Sequence, residues 1–378
     1  MLATSTEPAR ETRASDVRQR GKLQVVVGGQ FGSEAKGAVC AWLARREPPE
    51  QAVACCRVGG PNAGHTAYDS KGREWKLQQI PIGVLRPHAR LYIGAGSVID
   101  REILARELRE LDDAELDASV RLRVDYEATL LEPEHVLAET ENRAHGEAGL
   151  TARIGSTGKG VGAARAERVL RRASRARDLM LGIHPYVSLG CTADLLEFRL
   201  QSGSVVQIEG TQGYGLGLHA GFYPYATSAD CRAIDILAQA GLSPWADCVD
   251  RLEIWLVLRT FPIRVAGNSG PLYRETTWQS LGVEPEYTTV TRKIRRVGEW
   301  DAQLARDAVW ANGGPTSRLR VVLTFLDYVF PQLSGCSDAS AIQTVAGPFL
   351  RERERELDCP ITAVGTGPNT LVLLGTDR

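Results

Sequence analysis

Lysine is scarce in this sequence: only six of its 45 Lys+Arg residues are lysine (Lys22, Lys36, Lys71, Lys76, Lys159 and Lys293), and the rest are arginine. Positive charge is not in excess either. The formal net charge is −1, so no overall basic field marks a nucleic-acid-binding protein. Long apolar runs are missing. None approaches the roughly 18–20 residues that a bilayer span requires, and the N-terminus lacks the apolar core of a signal peptide, so a cytoplasmic protein is expected. The eight cysteines show no C-x-x-C spacing, and in 378 residues they are too sparse for a disulfide scaffold. Reduced, mostly buried thiols are expected instead. Repeats and low-complexity linkers are also absent, so residues 23–378 are expected to form one domain. Residues 1–22 are polar, without apolar periodicity, and are expected to be a disordered arm.

What is present is ordinary for a soluble enzyme: 43% hydrophobic and 24% charged residues. One stretch stands out. Val25-Val26-Val27 reads as a buried strand, Gly28 to Gly37 as a glycine-rich turn, and Ala38 to Leu43 as a helix. A strand, a glycine turn and a helix N-terminus gather backbone N–H groups that suit a phosphate. Lys36 adds a point charge able to reach a phosphoryl oxygen. The spacing is not that of the common phosphate loop, because Lys36 precedes Gly37 and no Gly-Lys-Ser/Thr follows.

The pattern repeats along the chain. Strands are expected at 52–58, 75–80, 90–93, 120–124, 205–209, 251–259, 320–325, 361–364 and 371–374. Helices are expected at 100–111, with Asp100 as N-cap, and at 131–144, 163–181, 229–240 and 301–311. Strands that end in polar, glycine-rich loops with helices between them predict an α/β fold. Its central sheet should be mostly parallel, with ligands at the carboxyl ends of the strands.

The loops then supply a resemblance. Gly29-Gln30-Phe31-Gly32-Ser33-Glu34-Ala35-Lys36-Gly37 is similar to the first signature of adenylosuccinate synthetases, G-T-Q-W-G-D-E-G-K-G, and Asn62-Ala63-Gly64-His65-Thr66 matches their N-A-G-H-T. Gly155 to Gly162, Glu209 to Gly213, Tyr223 to Ser228 and Thr366-Gly367-Pro368 resemble four further signatures in the family's order, over about residues 23–375. The resemblance implies a single large domain of that fold. It implies a carbon–nitrogen ligase that phosphorylates the 6-oxo group of a purine nucleotide and displaces it with the amine of L-aspartate.

Site residues follow from the same resemblance. Ser33, Lys36 and His65 take the catalytic positions. His65 would stabilise charge at the 6-oxo group and act as a general acid. Gly32 to Gly37 (with Glu34 and Ala35), Gly64, His65, Thr66, Phe325, Asp327, Gly365, Gly367 and Pro368 would hold the nucleoside triphosphate. Mg²⁺ would bridge its phosphates, with Ser33 and the carbonyl of Gly64 as ligands. Ser33, Asn62, Ala63, Ser156, Thr157, Gln212 and Thr227 would hold the purine monophosphate. Arg171 would reach across a homodimer interface to the partner's substrate. Thr289, Val290, Thr291, Lys293 and Arg295 would close on the aspartate carboxylates, Lys293 standing where the family has arginine.

Two departures refine the expectation. Ser33 replaces the family's aspartate, which takes the N1 proton and ligates magnesium. Serine is a poor general base and a poorer metal ligand, but it leaves room for the 2-amino group of a guanine. Phe325 replaces a lysine in the segment that reads the guanine of GTP. Both resemble a bacteriophage branch of the family, the 2-aminoadenylosuccinate synthetases. That implies dGMP, ATP and L-aspartate as substrates and diaminopurine DNA as the destination. The alternatives are an ordinary synthetase using IMP and GTP, and a catalytically silent nucleotide-binding protein.

Overall fold

Continuous apolar runs place strands deep in a sheet, and here they do. The computed structural model describes residues 20–141, 149–179, 187–288 and 293–375. Among them, ten strands form one sheet in the order Thr370–Leu373, Ile361–Gly367, Leu319–Thr324, Val249–Arg259, Gly21–Gly28, Val205–Glu209, Val53–Arg57, Arg90–Ile93, Leu122–Asp125, Ser188–Gly190. Neighbours are parallel except for the hairpin of Ile361–Gly367 with Thr370–Leu373. The predicted α/β architecture with a mostly parallel central sheet is therefore present. Both faces are covered. Leu23, Val25 and Val27 enter one apolar cluster with Ile208, Leu256 and Val321, while Val26 enters the other with Val39, Leu43 and Val257. That alternation is the strand's period of two, buried on each side.

Gly21–Gly28 lies inside the sheet, between Val249–Arg259 and Val205–Glu209. Gly21 and Lys22, expected in the arm, already belong to it: Gly21 N donates to Cys248 O (2.9 Å) and Lys22 N to Ser204 O (3.2 Å). Residues 1–19 lie outside the described residues.

Helix expectations fare unevenly. Asp100 caps Arg101–Asp112, its side chain accepting from Glu102 N and Ile103 N. The helix expected at 131–144 runs over Pro133–Thr140, and 142–148 lie outside the described residues. The arginine-dense helix expected at 163–181 is instead Val161–Val169, a turn with Arg171 at φ 62°, and a short helix Ala176–Leu179. A left-handed residue cannot continue a right-handed helix. Among the described residues, two helices of ten or more residues were not expected from the sequence, Thr192–Gln201 and the 19-residue Ala339–Leu357, which contains Pro348, nor were the short helices Ala118–Arg121, Leu150–Ile154 and Trp278–Leu281.

Candidate active site

The turn after Gly21–Gly28 is built around a carboxylate. Glu34 is fully buried, and its Oε1 accepts from Gln30 N (3.1 Å) and Gly32 N (2.8 Å). Its Oε2 accepts from Lys36 Nζ at 2.5 Å, an ion pair closed off from solvent. Glu34 thus shapes the turn from inside, with both carboxylate oxygens engaged by its own loop. Ser33 (φ 57°) and Ala35 (φ 69°) are left-handed, so the chain reverses tightly before the helix Lys36–Arg46. A Cβ on Gly28 would stand 2.6 Å from Gln212 O and from Glu34 Oε2, so only glycine allows the two turns to touch.

The His65–Tyr68 strand crosses the start of that helix. A Cβ on Gly37 would lie 2.8 Å from His65 Cβ, so Gly37 brings His65 against the phosphate turn. His65 Nδ1 lies 2.5 Å from Glu209 Oε1. Glu209 also accepts from Arg57 Nη1 and, through Oε2, from Ile82 N at 2.8 Å. Arg57 Nη2 holds Ala63 O at 2.6 Å, which fixes the Asn62–Thr66 turn. Because a carboxylate can only accept, the Nδ1 contact places the neutral ring's proton on the Glu209 side, and Glu209 is the ring's one hydrogen-bond partner among the described residues.

Burial, with Arg57 nearby, lowers the His65 pKa to about 4, and Glu209 only partly opposes this. Burial would raise Glu209, but Arg57 and His65 outweigh it and hold the carboxyl below its usual range. The folded His65 value lies below its usual 6.5. The unfolded chain therefore binds a proton between those values that the folded chain does not, and stability falls as pH drops through that window. Glu209 acts in the same direction at lower pH. Lowering pH from 7 to 5 is expected to remove about 2 kcal/mol of unfolding free energy through His65 alone. Urea unfolding at both pH values should show that component in the parent and not in His65→Asn. Equal losses in both would contradict the assignment.

Asn62, Gln212 and Thr227 line one small open depression together with Arg165, Asp230 and Gln239. Ser156 and Thr157 do not line it. Several donors of their glycine-rich loop are held by buried Glu139, whose oxygens accept from Gly160 N (3.0 Å), Gly162 N (2.7 Å) and Ser156 Oγ (3.3 Å). Arg171 is exposed, its Nη1 on Val169 O at 2.6 Å.

The basic loop reaches the phosphate turn. Arg295 Nη1 donates to Ser33 Oγ, and its Nε donates to Tyr287 O at 3.1 Å. Lys293 is exposed, and Thr289, Val290 and Thr291 lie outside the described residues. Phe325 (φ 59°) carries the Arg259 guanidinium 4.0 Å from its ring centroid, with Tyr328 at 5.0 Å, so one ring face is already stacked. Asp327 Oδ1 is buried with no hydrogen-bond partner, and burial raises its pKa. It is an acceptor awaiting a donor. Gly365 packs on Thr324, while Thr366 O accepts from Gly335 N at 2.8 Å, which sets the Gly367-Pro368 turn beside residue 335.

A magnesium ion would find little of its own here. Among the described residues no group of three His, Cys, Asp or Glu side chains could hold a metal. Ser33 Oγ faces the Arg295 guanidinium, and Gly64 offers only an exposed carbonyl. Such neutral oxygens fit an ion carried in on triphosphate oxygens and not a resident one.

Arrangement and signatures meet in one comparison: the sequence profile described as adenylosuccinate synthetase matches residues 25–186 and 182–331. The chain belongs to the adenylosuccinate synthetase family. It is therefore an aspartate–nucleotide ligase that forms a carbon–nitrogen bond, in a family that uses magnesium and a nucleoside triphosphate. The adenylosuccinate synthetase of Pyrococcus sp. (strain ST700) is 36% identical over 349 residues, 91% of this chain and 95% of that one. That of Methanocaldococcus jannaschii is 36% identical over 348 residues, 91% and 94%. Among solved structures, the succinoaminodeoxyadenylate synthetase of cyanophage S-2L, bound to dGMP and to dATP as an energy donor, superposes with TM-score 0.74. It is 29% identical and covers 95% of this chain and 97% of its own. Fully ligated adenylosuccinate synthetase of Plasmodium falciparum also gives 0.74, at 19% identity, 93% and 100%, and shows the fold alone.

Several residues of the site carry no sequence signal. Arg259 is fully buried on the central strand and joins three regions: it stacks on Phe325, pairs with Glu286 and donates to Ser33 O at 3.0 Å. Gln30 brackets it, accepting from Arg259 N (3.0 Å) and donating to Arg259 O (3.1 Å). Arg264 lies 4.0 Å above the Phe31 ring, its Nε and Nη2 buried without partners. Glu209 stood inside a recognised motif, but its link to His65 spans 144 positions.

Proposed function

We propose that the chain joins L-aspartate to C6 of dGMP with ATP as phosphoryl donor. The product is 2-amino-2′-deoxy-N6-succinyladenylate, released with ADP and phosphate. The observation that carries this reading is Ser33, a small exposed hydroxyl where the family has aspartate, beside the Gln212 turn and the Arg295 loop. A 2-amino group next to N1 has room beside serine and can donate to its oxygen, whereas an aspartate there would crowd it. The cyanophage relative, solved with dGMP and with dATP as energy donor, supports dGMP and an adenine-nucleotide donor.

In the first step the N1 proton is lost to solvent as the 6-oxo oxygen attacks the γ-phosphorus and ADP leaves. In the second the aspartate amine attacks C6 and gives up a proton as phosphate leaves. Backbone N–H groups between Ser33 and Gly37 orient the triphosphate, and Lys36 joins them once its buried pair with Glu34 opens. Mg²⁺ on the phosphates supplies charge neutralisation. Negative charge developing beside His65 Nε2 offsets the burial and the Arg57 repulsion that keep the ring neutral. Nε2 then takes up a proton, Glu209 holds Nδ1–H, and that proton goes to the oxygen leaving C6. Arg295 and Lys293 receive the aspartate carboxylates, and Arg171 completes the substrate site of a second copy in a homodimer.

The second reading is an IMP- and GTP-using synthetase. The unpartnered Asp327 oxygen favours it, since a guanine edge supplies matching donors, as do the archaeal relatives at 36%. Phosphate release with L-aspartate, crossing dGMP and IMP against ATP and GTP, separates the two. Turnover with dGMP and ATP is expected, and turnover with IMP but not dGMP would overturn the proposal.

A further inference from the structure

The depression lined by Asn62, Gln212 and Thr227 holds one charge that nothing balances. Arg165 sits on Val161–Val169 one turn after Val161, so both face the depression. Its guanidinium meets only neutral acceptors, at long distances: Ser228 O at 3.3 Å, Gly96 O at 3.4 Å and Gln239 Oε1 at 3.2 Å. Nearby arginines differ. Arg168 pairs with Glu127 (2.9 Å), Arg172 with Glu167 (2.9 Å) and Arg175 with Asp178 (3.0 Å).

The other groups around the depression supply no counter-charge. Asp230 is committed to His219, accepting its ring Nδ1 and its backbone N at 3.1 Å, and it also accepts from Ala220 N at 3.2 Å. Cys231 is a neutral thiol, since burial pushes it up to about 12. Glu139 is spent on the adjacent glycine-rich loop. A partly desolvated guanidinium without a carboxylate is costly unless an anion arrives to meet it.

We propose that Arg165 is a binding residue for the monophosphate of the purine substrate, supplying the positive charge from the same protomer. This rests on the ligase reading of the site but not on which purine is used. Arg165 gives the pocket one positive charge toward a dianionic phosphate before a second copy contributes Arg171. Its planar fork suits two phosphate oxygens at once, once it exchanges the long carbonyl contacts for charge-assisted ones.

The test compares dGMP, deoxyguanosine and inorganic phosphate as ligands of the full chain by calorimetry, in the parent, Arg165→Gln and Arg165→Lys. Arg165→Gln is expected to weaken dGMP by about 100-fold and to leave deoxyguanosine binding in place. Protection by inorganic phosphate against thermal unfolding should disappear. In turnover the loss should fall on KM for the purine nucleotide, not on KM for the triphosphate or aspartate. Arg165→Lys should restore part of the affinity, because it keeps the charge while losing the two-oxygen fork and the carbonyl bridges. Equal weakening of dGMP and deoxyguanosine, or a lysine variant no better than glutamine, would make Arg165 a strut and overturn the proposal. If Arg165→Gln does not fold, Arg165→Lys against the parent still decides: loss confined to dGMP supports the proposal, and equal loss for deoxyguanosine overturns it. Failure of the ligase reading looks different: dGMP binds through Arg165, but no phosphate is released with any substrate pair. A parent chain that binds no purine monophosphate contradicts both.

Discussion

His65→Asn is expected to lower kcat by about a thousandfold while changing KM for the purine nucleotide by much less. Asparagine can fill part of the ring's volume and keep a hydrogen bond to Glu209, but it cannot carry a proton to the departing oxygen. The ring is held neutral by burial and by Arg57, with Nδ1 on Glu209 at 2.5 Å. Its Nε2 therefore gains a proton only when negative charge develops beside it, which is when an acid is needed. The pH profile adds a sharper check. Glu209→Gln removes the charge that partly sustains the ring's basicity, so the acid limb reporting His65 should move to lower pH. It also strips Arg57 of its buried partner, so a loss of several kcal/mol in stability should accompany the kinetic change. A His65→Asn enzyme with near-parental kcat would remove the ring from the chemistry.

Ser33→Asp is expected to reduce kcat/KM for dGMP by about 100-fold. The new carboxylate would sit where Ser33 Oγ now meets Arg295, with its backbone fixed by Arg259. Against IMP, which has hydrogen at C2, the same change adds a base near N1 and should raise turnover. The prediction is thus a reversal of preference, not a general loss. A rise in dGMP turnover would show that the room argument at C2 is wrong. Loss on both substrates would show that Arg295 had captured the new carboxylate as an ion pair.

Nine of the sheet's ten strands were legible in the sequence because buried strands are unbroken apolar runs whose exits are marked by glycine; the edge strand Ser188–Gly190 was not. The Ala339–Leu357 helix was not. Its buried residues Ile342, Ala346, Leu350 and Leu357 follow the helical period, but Pro348 and the charged run from Arg351 disguise it. Thr192–Gln201 hid for a related reason, burying little beyond Leu196 and Leu200. Arg171 was expected on a helix because arginine-rich runs favour one. The left-handed residue that ends it depends on packing that local propensity does not encode.

Within the site, motifs named the loops but not what fills them. Glu34 fills from within the turn that reads, from its glycines, as open to phosphate, and Glu139 likewise holds N–H groups of the 155–162 loop. Arg259 touches Ser33 and Phe325 across long separations, and no local spacing announces such a contact. Arg165 lay within an arginine-dense segment whose default is a solvated face. Only the partners of its neighbours single it out.

The central claim is that a serine in the phosphate turn selects a guanine nucleotide. A competition tests it most directly: equal amounts of dGMP and IMP, with ATP and excess L-aspartate, and the succinylated products resolved by mass. Predominance of 2-amino-2′-deoxy-N6-succinyladenylate is the predicted result. Predominance of adenylosuccinate would contradict the account.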